Sequence, residues 1–383
     1  MTELAESAFG GQAALEEDRA RGERLLAELR EGRRSWAELN DEEQRLASGV
    51  ALIELVQERS LALRFDNPAE MIDLARTGCL LADSLAIDPY GDRVVSDIRA
   101  RAWAELGNAY RVADDLQEAG GALARARELA MRGTGSLTLL SRLMELIAHL
   151  LSDLRQFQEA AELLETVEAV HRQREEVNDL ARVLVHLGNV RNEAHEPEHA
   201  VLVFLRALQL LEVDSPLRFA AVHGLAYGLV ESGFHDAAHH LIKKNRRLYR
   251  RSGKFNQIRL FWLEGKIARG LGQFGRAEAK FHVARLWFLR ENQTYDSALV
   301  ALDLALLYVR QGRRQEVLWL VEKMLATFRS LGIGREAIAS LVLLQKSCEQ
   351  QRSVDVLCGQ IEALARLLPE LEARKGDGRT PRA

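Results

Sequence analysis

The segment Ile258–Ala284, IRLFWLEGKIARGLGQFGRAEAKFHVA, predicts two short helices folded against each other. Gly265 and Ala277 lack bulky side chains, so the two helices can approach each other closely at these positions. Phe281 supplies the bulk that fills the space between them, and Gly272 lets the backbone reverse direction in the turn. The segment therefore has the sequence of a helical hairpin.

The same pattern recurs along nearly the whole chain. Its best copy places Trp103, Leu106, Gly107 and Tyr110 on a first helix and Ala119, Leu123 and Ala126 on a second. Weaker copies are marked by Phe157 with Ala160, Gly188 with Phe204, Phe234 with Ala237 and Leu241, and Tyr308 with Gly312. The equivalent positions Ala119, Ala160, Ala200, Ala237, Ala277 and Val317 follow one another at intervals of 41, 40, 37, 40 and 40 residues. These intervals indicate a repeat array with a period of about 40 residues.

This pattern of small and aromatic residues resembles the tetratricopeptide repeat (TPR), whose standard period is about 34 residues. The longer period is similar to that of the TPR modules attached to bacterial signal-responsive regulators. The resemblance implies an all-α fold, a right-handed α-solenoid of about eight TPR-like hairpins with capping helices. It also implies that the first helix of each hairpin lines a concave groove.

The ends of the array are predicted from charge and apolar patterning. The N-terminal residues are charged with a thin apolar stripe, as a cap without an outer neighbour requires. The predicted domains are a capping helical segment over 1–45, a TPR-like solenoid over 46–373 and a disordered tail over 374–383. The outermost helix pairs are predicted at 42–60 with 68–85 and at 335–349 with 354–368.

The composition limits the classes of function. The formal net charge is −4 with 28% charged residues, so nothing attracts the whole protein to nucleic acid or to a membrane. No apolar run reaches the roughly 18–20 residues that a spanning helix needs, and no secretory signal is evident. Cys79, Cys348 and Cys358 lack the spacing of a metal site or a disulfide scaffold. We therefore expect a cytoplasmic protein without a metal or cofactor.

The zinc-protease pattern H-E-x-x-H is matched letter by letter at His195, Glu196 and His199. In that motif both histidines project from one face of an unbroken helix, and the glutamate acts as general base. Pro197 opposes this geometry, because proline suits the first position of a helix and would place His195 before the helix begins. An interhelical turn is the preferred interpretation, and a metal-dependent hydrolase is an alternative hypothesis.

Two further clusters could carry chemistry, but each also has a simpler explanation. His235, His239 and His240 could hold a metal ion through an i, i+4 pair, although two nitrogens alone make a weak site. Lys243–Arg251 gathers six cations and one aromatic residue, which could contact a phosphate backbone. Helical geometry spreads these cations around the helix, and a solvated outer face explains both clusters. We therefore favour no metal site and no nucleic-acid partner.

Polar and basic residues recur on the predicted groove face of the first helices. One repeat position holds arginine in four of the six best-defined units, and acidic groove residues are fewer. Equivalent side chains on helices about 8–10 Å apart would form a ladder, and arginine suits carboxylates. The predicted partner-binding groove comprises Arg101, Asn108, Arg111, Arg142, His149, Arg182, Asn189, Asn192, Arg259, Trp262, Lys266 and Arg269.

Two alternatives to an open basic groove follow from the same residues. Each arginine could instead pair with an acidic neighbour on an adjacent helix, such as Glu105 or Glu145, and face water. Farther along, the groove positions become apolar, and they would form an apolar surface unless another helix covers them. These positions are Val222, Ala226, Leu229, Leu302, Leu306 and Val309.

The sequence thus predicts a non-catalytic interaction scaffold that binds a protein or peptide segment, preferably an acidic one, in its concave groove. The alternative is a regulatory sensor that binds a small peptide or metabolite and acts on a transcription or effector partner. Neither interpretation involves an enzyme activity, a cofactor or a membrane.

Overall fold

A computed structural model describes residues 50–64, 66–88, 90–330 and 335–376, together with the helical positions Arg24 and Glu28. Within these residues every regular element is an α-helix, which confirms the all-α prediction. The predicted N-terminal cap lies outside the described residues apart from those two positions. Most of the predicted disordered tail also lies outside them.

Apart from the two isolated helical positions, seventeen helices follow one another in the described part of the chain. They are α1 Val50–Ala62, α2 Pro68–Ser84, α3 Asp92–Val112, α4 Leu116–Arg132, α5 Leu137–Asp153, α6 Phe157–Gln173, α7 Val177–Glu193, α8 Pro197–Leu210, α9 Arg218–Glu231, α10 His235–Lys244, α11 Arg246–Arg251, α12 Gly253–Gly270, α13 Phe274–Arg290, α14 Thr294–Arg310, α15 Arg314–Ser330, α16 Arg335–Glu349 and α17 Val354–Gly376. Chain order groups them into eight pairs, in which α10 and α11 together form one second helix.

The chain divides into two compact units, with the boundary between Leu154 and Arg155. In the first unit α1 packs on α2 and α3, and α3 packs on α4 and α5. In the second unit α7 packs on α8 and α9, α9 packs on α12, and α12 packs on α13 and α14. Within each unit the first helices of successive hairpins therefore contact one another and form one layer. The predicted single solenoid over 46–373 and its right-handed sense stay predictions.

Glycines on the first helices make room for large side chains of the second helices. A Cβ atom at Gly265 would lie 2.6 Å from the ring of Phe281, which is closer than real Cβ contacts come. Phe204 is fully buried and touches glycines of two successive hairpins. Cβ atoms at Gly188 and Gly224 would lie 2.7 and 2.2 Å from its ring. At these crossings a small residue on one helix faces a large residue on the other, which confirms the prediction.

A residue with positive φ lies at the same place, two positions after the end of the first helix, in seven turns between a first and a second helix. These residues are Asp114, Arg155, His195, Gly233, Gly272, Gly312 and Gln351. The prediction that Gly272 reverses the backbone is confirmed by its φ of 72°. Side chains at the four non-glycine positions carry a steric cost of about 1–2 kcal/mol each.

The repeat register of one hairpin differs from the prediction. The residue five positions after the positive-φ residue is buried in the six hairpins whose turns run from Asp114 to Gly312, as Ala277 is after Gly272. Counting from Gly233 gives Ala238, which is fully buried, whereas the predicted Ala237 is exposed. Phe234, which was expected to anchor this hairpin, is 59% exposed. Both assignments were wrong because the intervals around this hairpin are 38 residues from Ala200 to Ala238 and 39 from Ala238 to Ala277, where the prediction had 37 and 40.

The helix boundaries at the two ends agree with the sequence patterns where they are described. Pro68 starts α2, and the side chain of Asn67 caps the helix by accepting a hydrogen bond from the Glu70 backbone N–H at 3.2 Å. The helix predicted at 335–349 is α16. The last helix begins at Val354 as predicted but runs on to Gly376, with Pro369 inside it.

The last four helices pack in a closed order. Each of α14, α15 and α16 packs on the next helix, and α17 returns to pack on α14. The predicted apolar stripe of α17 is buried in one cluster with the apolar groove positions of α14. That cluster includes Leu302, Leu306, Val309, Leu357, Ile361, Leu364 and Leu368. The apolar surface expected on α14 is therefore covered by another helix of the same chain.

No helix in the described part of the chain combines the length and the apolar character needed to cross a membrane. The three cysteines are free, with Cys79 and Cys348 buried and Cys358 partly exposed. Burial in apolar surroundings raises the pKa of the Cys79 thiol to about 12, which keeps it protonated and unreactive.

Candidate functional site

In the first unit the predicted groove arginines have acidic partners. Arg142 on α5 forms an ion pair with Glu105 on α3 at 3.0 Å. Arg111 near the end of α3 pairs with Asp153 at the end of α5 at 2.9 Å, and it also donates to the side-chain oxygen of Asn108 at 3.2 Å. Because α3 and α5 are adjacent first helices, these pairs connect successive hairpins across the inner layer. The pairing alternative therefore holds for Arg142 and Arg111.

Two other predicted groove residues of the first unit differ from this pattern. Arg101 is partly exposed and makes no hydrogen bond or ion pair with any residue that the structure describes. His149 is also partly exposed and is engaged with neighbouring groups. Arg101 is thus the predicted groove cation of this unit whose guanidinium stays available.

At the start of the second unit the predicted residues lie on α7. Arg182 pairs with Asp179 on the same helix at 2.7 Å, while Asn189 is exposed. Asn192 donates from Nδ2 to the backbone oxygen of Gly224 on α9 at 3.0 Å. Its Oδ1 atom is buried and finds no donor among the described residues. Asn192 therefore links two first helices rather than standing free for a partner.

Farther along the second unit, three predicted residues of α12 converge on one carboxylate of α14. Arg269 pairs with Oδ1 of Asp303 at 2.6 Å, and the indole N–H of Trp262 donates to Oδ2 at 2.7 Å. Lys266 lies 3.9 Å from the same Oδ2 and pairs with Glu231 at the end of α9 at 2.8 Å. We call these five residues, Trp262, Lys266, Arg269, Asp303 and Glu231, the inner charge cluster.

Within the inner charge cluster, Lys266 and Asp303 are charged and largely sheltered from water. Burial raises the pKa of the Asp303 carboxyl, but Lys266 and Arg269 outweigh this effect and hold it below its usual value. Burial alone would lower the pKa of Lys266, but Asp303 and Glu231 raise it above its usual value. The side chains of Lys266 and Asp303 are only 14% and 9% exposed, so their charges are screened weakly.

Arg259 lies one to two turns before the inner charge cluster on α12 and has different surroundings. It is exposed and forms no hydrogen bond or ion pair within the described ranges. Burial raises the pKa of the Asp296 carboxyl on α14, and the nearby Arg259 acts against this shift. Burial, with a smaller contribution from the same guanidinium, lowers the pKa of His223 on α9 to about 3. Arg259 therefore presents an unpaired cation on the inner layer.

A buried aromatic group supports the layer beneath Arg259. His223 is 9% exposed, and its Nδ1 lies 3.3 Å from the hydroxyl oxygen of Tyr249. Phe219 stacks on the imidazole with ring centroids 5.8 Å apart. Tyr249, which belongs to the basic segment Lys243–Arg251, is a packing residue with 1% exposure. This group fixes the position of α9 against α11.

Asp303 is the central carboxylate of the inner charge cluster, and the sequence analysis does not select it. The surrounding residues of α14 are apolar, and the segment was interpreted as an apolar stretch of groove. Applying the repeat intervals to Glu105 leads to Asp303, so both carboxylates occupy the same repeat position. The sequence signal that could have identified Asp303 is an acidic residue at a repeat position that lies beside the groove cations.

The other candidate motifs lie mainly in turns and on exposed helix faces, except that His235 packs against Gly270 and its buried Nδ1 has no hydrogen-bond partner among the described residues. His195 lies in a turn with a φ of 60°, α8 begins at Pro197, and His199 is 69% exposed. Glu196 pairs with Arg191 at 2.6 Å. His239 and His240 are exposed on α10. The geometry that a zinc protease requires is therefore not formed by H-E-x-x-H here.

One group of possible metal ligands occurs in the described part of the chain, at the turn between α6 and α7. His171, Glu176 and Asp179 bring one ligand atom each to within 4.8 Å of one another. Glu176 accepts from Nδ1 of His171 at 2.6 Å and pairs with Arg174 at 2.8 Å. Since Asp179 is also paired with an arginine, the carboxylate charges are already compensated. The group is best explained as a hydrogen-bonded turn.

Comparison with known proteins shows similarity of fold. No protein-family model matches the chain, and no curated protein matches it. A Rap protein complexed with Competence and Sporulation Factor is 13% identical with a TM-score of 0.62, covering 86% of this chain and 91% of that one. Aspartyl phosphate phosphatase F from Bacillus subtilis is 16% identical with a TM-score of 0.56, covering 84% and 85%.

A third similar structure is the Rap conjugation gene regulator of plasmid pLS20 in complex with the Phr* peptide. It is 14% identical with a TM-score of 0.50, covering 79% of this chain and 83% of that one. The chain therefore has the helical-hairpin fold of the Rap proteins, and its resemblance to TPR regulators of bacteria is confirmed at the level of the fold.

Proposed function

We propose that the chain is a regulatory sensor that binds a short peptide on the inner layer of its second unit and acts on an effector protein. In this proposal the peptide lies across α9, α12 and the first turns of α14, which α17 leaves partly exposed. One of its carboxylates, a side chain or the C-terminus, pairs with Arg259. The chain is non-catalytic and cytoplasmic, and it binds neither nucleic acid nor membranes.

The observation that carries the proposal is the contrast between Arg259 and the inner charge cluster. Lys266 and Arg269 are neutralised by Asp303 and Glu231 and are held in place. Arg259 is exposed on the same helix and has no ion-pair partner among the described residues. A ligand carboxylate therefore gains a charge-assisted bidentate contact at Arg259 without displacing a partner.

The fold supports the sensor over a passive scaffold. Two of the similar structures are described as complexes, one with Competence and Sporulation Factor and one with the Phr* peptide. The latter is a conjugation gene regulator. The predicted groove residues of the second unit, Arg182, Asn189 and Asn192, are secondary contacts in the proposal, and the already paired Arg182 and Asn192 contribute least. The groove residues of the first unit, Arg101, Asn108, Arg111, Arg142 and His149, stay predictions outside this peptide site.

The test is selection of binders from a random library of short peptides with the purified full chain, followed by affinity measurements on the best peptide. Arg259→Gln should weaken binding at least about tenfold, because each tenfold corresponds to about 1.4 kcal/mol, well within one charge-assisted contact. Arg247→Gln is the matched control, since Arg247 is an equally exposed arginine on α11. Equal affinities of both variants would refute the assignment of Arg259.

One similar structure is an aspartyl phosphate phosphatase, so the absence of catalysis needs its own test. The full chain should not accelerate hydrolysis of an aspartyl phosphate on a response-regulator receiver domain above the rate of the domain alone. Acceleration that scales with the concentration of the chain would contradict the non-catalytic part of the proposal.

A further inference from the structure

A small notch lies on the side of α12 that faces away from the inner layer. Trp262, Lys266 and Arg269 project toward the inner layer, whereas Glu264, Ile267 and Leu271 are rotated by roughly 180° around the helix. The notch is a depression of about 50 Å³ that opens to solvent and lies between α12, the end of α10 with α11, and the start of α13. We call it the outer notch. It is lined chiefly by Ile242, Arg246, Glu264, Ile267, Arg276 and Lys280.

The floor of the outer notch is apolar. Ile242 and Ile267 are each 3% exposed, and Ala268 is 6% exposed. These side chains are anchored in the packing between α10 and α12, so the floor is preformed. Such a floor suits the hydrocarbon part of a small ligand.

The rim of the outer notch is cationic. Arg246 and Lys280 reach Glu264 from opposite sides, at 2.9 and 2.5 Å. Arg276 donates to the side-chain oxygen of Gln273 at 2.6 Å and has no carboxylate partner among the described residues. Three cations and one carboxylate leave a net charge of +3 − 1 = +2.

The rim also has guanidinium N–H groups that donate no hydrogen bond to a described residue. Arg246 uses Nη1 for Glu264 and Arg276 uses Nη1 for Gln273, which leaves the other guanidinium N–H groups of both residues for a ligand. Lys280 is committed to Glu264 and lies 4.0 Å from the ring centroid of Phe261. Glu264 therefore holds two cations in place, and the two arginines supply the free donors.

We infer that the outer notch binds a small phosphate monoester with an apolar or aromatic body. A phosphate monoester carries a charge of about −1.5 to −2 at pH 7, which matches the net +2 of the rim, whereas a single carboxylate would leave it half compensated. Its oxygens accept from the two guanidinium forks, and its body lies on Ile242 and Ile267. This site is independent of the peptide site on the opposite face of α12.

Isothermal titration of the full chain with phenyl phosphate tests the inference, with benzoate and inorganic phosphate as comparison ligands. Phenyl phosphate should bind saturably, at least about tenfold more tightly than benzoate and more tightly than inorganic phosphate. This order follows because benzoate has half of the charge and inorganic phosphate has no apolar body. No saturable binding of phenyl phosphate, or equal binding of benzoate, would overturn the inference.

Arg276→Gln locates the site. Arg276 is exposed and anchors no buried group, so the variant should melt like the wild type while its affinity for phenyl phosphate falls at least about tenfold. Arg290→Gln is the matched control, because Arg290 is an exposed arginine at the other end of α13 and should leave the affinity within about twofold. Equal affinity of the Arg276 and Arg290 variants would overturn the assignment to the notch.

Discussion

The inner layers of the two units use the same kinds of residue in different ways. In the first unit Arg111 pairs with Asp153, whose side chains are 20% and 39% exposed. In the second unit Lys266 and Arg269 meet Asp303, whose side chain is 9% exposed and also accepts from Trp262. The first arrangement is a set of separate pairs near water, and the second is one sheltered network.

This difference decides what each set of charges contributes. Ion pairs near water contribute about 0–1 kcal/mol, because solvent screens them and ordering their side chains costs entropy. A buried pair loses several kcal/mol when one partner is removed, because the other charge is left unsolvated. The first unit should therefore tolerate loss of its groove charges, and the second should not.

Asp303→Ala should have the largest effect. It strands Arg269 and the indole N–H of Trp262 away from water and leaves Lys266 with Glu231 alone, so we expect a loss of about 3–5 kcal/mol in the free energy of unfolding. Asp153→Ala in the first unit should cost at most about 1 kcal/mol. Urea unfolding of both variants measures the difference, and equal losses would break the distinction between the two units.

Replacing a glycine at a helix crossing by a large residue should lower the stability of both units alike. A Cβ at Gly107 would lie 2.7 Å from Cγ of Leu123, and one at Gly265 would lie 2.6 Å from Phe281. Gly107→Leu and Gly265→Leu should each cost about 1–3 kcal/mol or more, by thermal unfolding. Gly121→Ala, where nothing lies within 4 Å, should be neutral or stabilising by up to about 1 kcal/mol. Wild-type melting of the two leucine variants would contradict the packing.

Acid should weaken the second unit through His223. Its folded pKa of about 3 lies below the usual value of 6.5, so the unfolded chain binds the proton first and stability falls as the pH falls below 6.5. Between pH 7 and pH 5 the loss should be about 2 kcal/mol. His223→Leu should flatten this part of the pH profile, whereas the exposed His240→Gln should not. An unchanged profile in His223→Leu would show that another group titrates.

A smaller effect is expected at the turn between α7 and α8. His195 has a φ of 60°, which favours glycine. His195→Gly should raise the free energy of unfolding by about 0.5–1 kcal/mol, since the steric cost of about 1–2 kcal/mol is partly offset by chain entropy. Gly272→Ala, at the matching turn, should lower stability by a similar amount. Destabilisation by His195→Gly would indicate that the imidazole has a structural role.

The sequence was sufficient to predict the hairpins because their packing is encoded locally. Gly265 and Phe281 are 16 residues apart in adjacent helices, and the same exchange of small and large residues recurs in each repeat. The break at Asn245 that separates α10 from α11 was not predicted, because neither proline nor glycine marks it. The apolar stripe of α17 indicated a buried face but not that α14 would be its partner.

The candidate site was predictable only in part. Trp262, Lys266 and Arg269 were selected from their repeat positions, but their convergence on Asp303 was not foreseen. The hydrogen bond from Trp262 joins residues 41 positions apart, and the bond from Arg269 joins residues 34 positions apart. Repeat spacing predicts where the helices lie. The hydrogen-bond partner of each side chain depends on the direction in which that side chain projects from its helix.

Peptide binding on the inner layer is tested most directly by hydrogen exchange of the full chain, with and without the tightest peptide selected from the library. The account predicts slower amide exchange in α9, α12 and the first turns of α14, and loss of that protection in Arg259→Gln at the same peptide concentration. Slower exchange confined to the second helices α10 and α13 would contradict it.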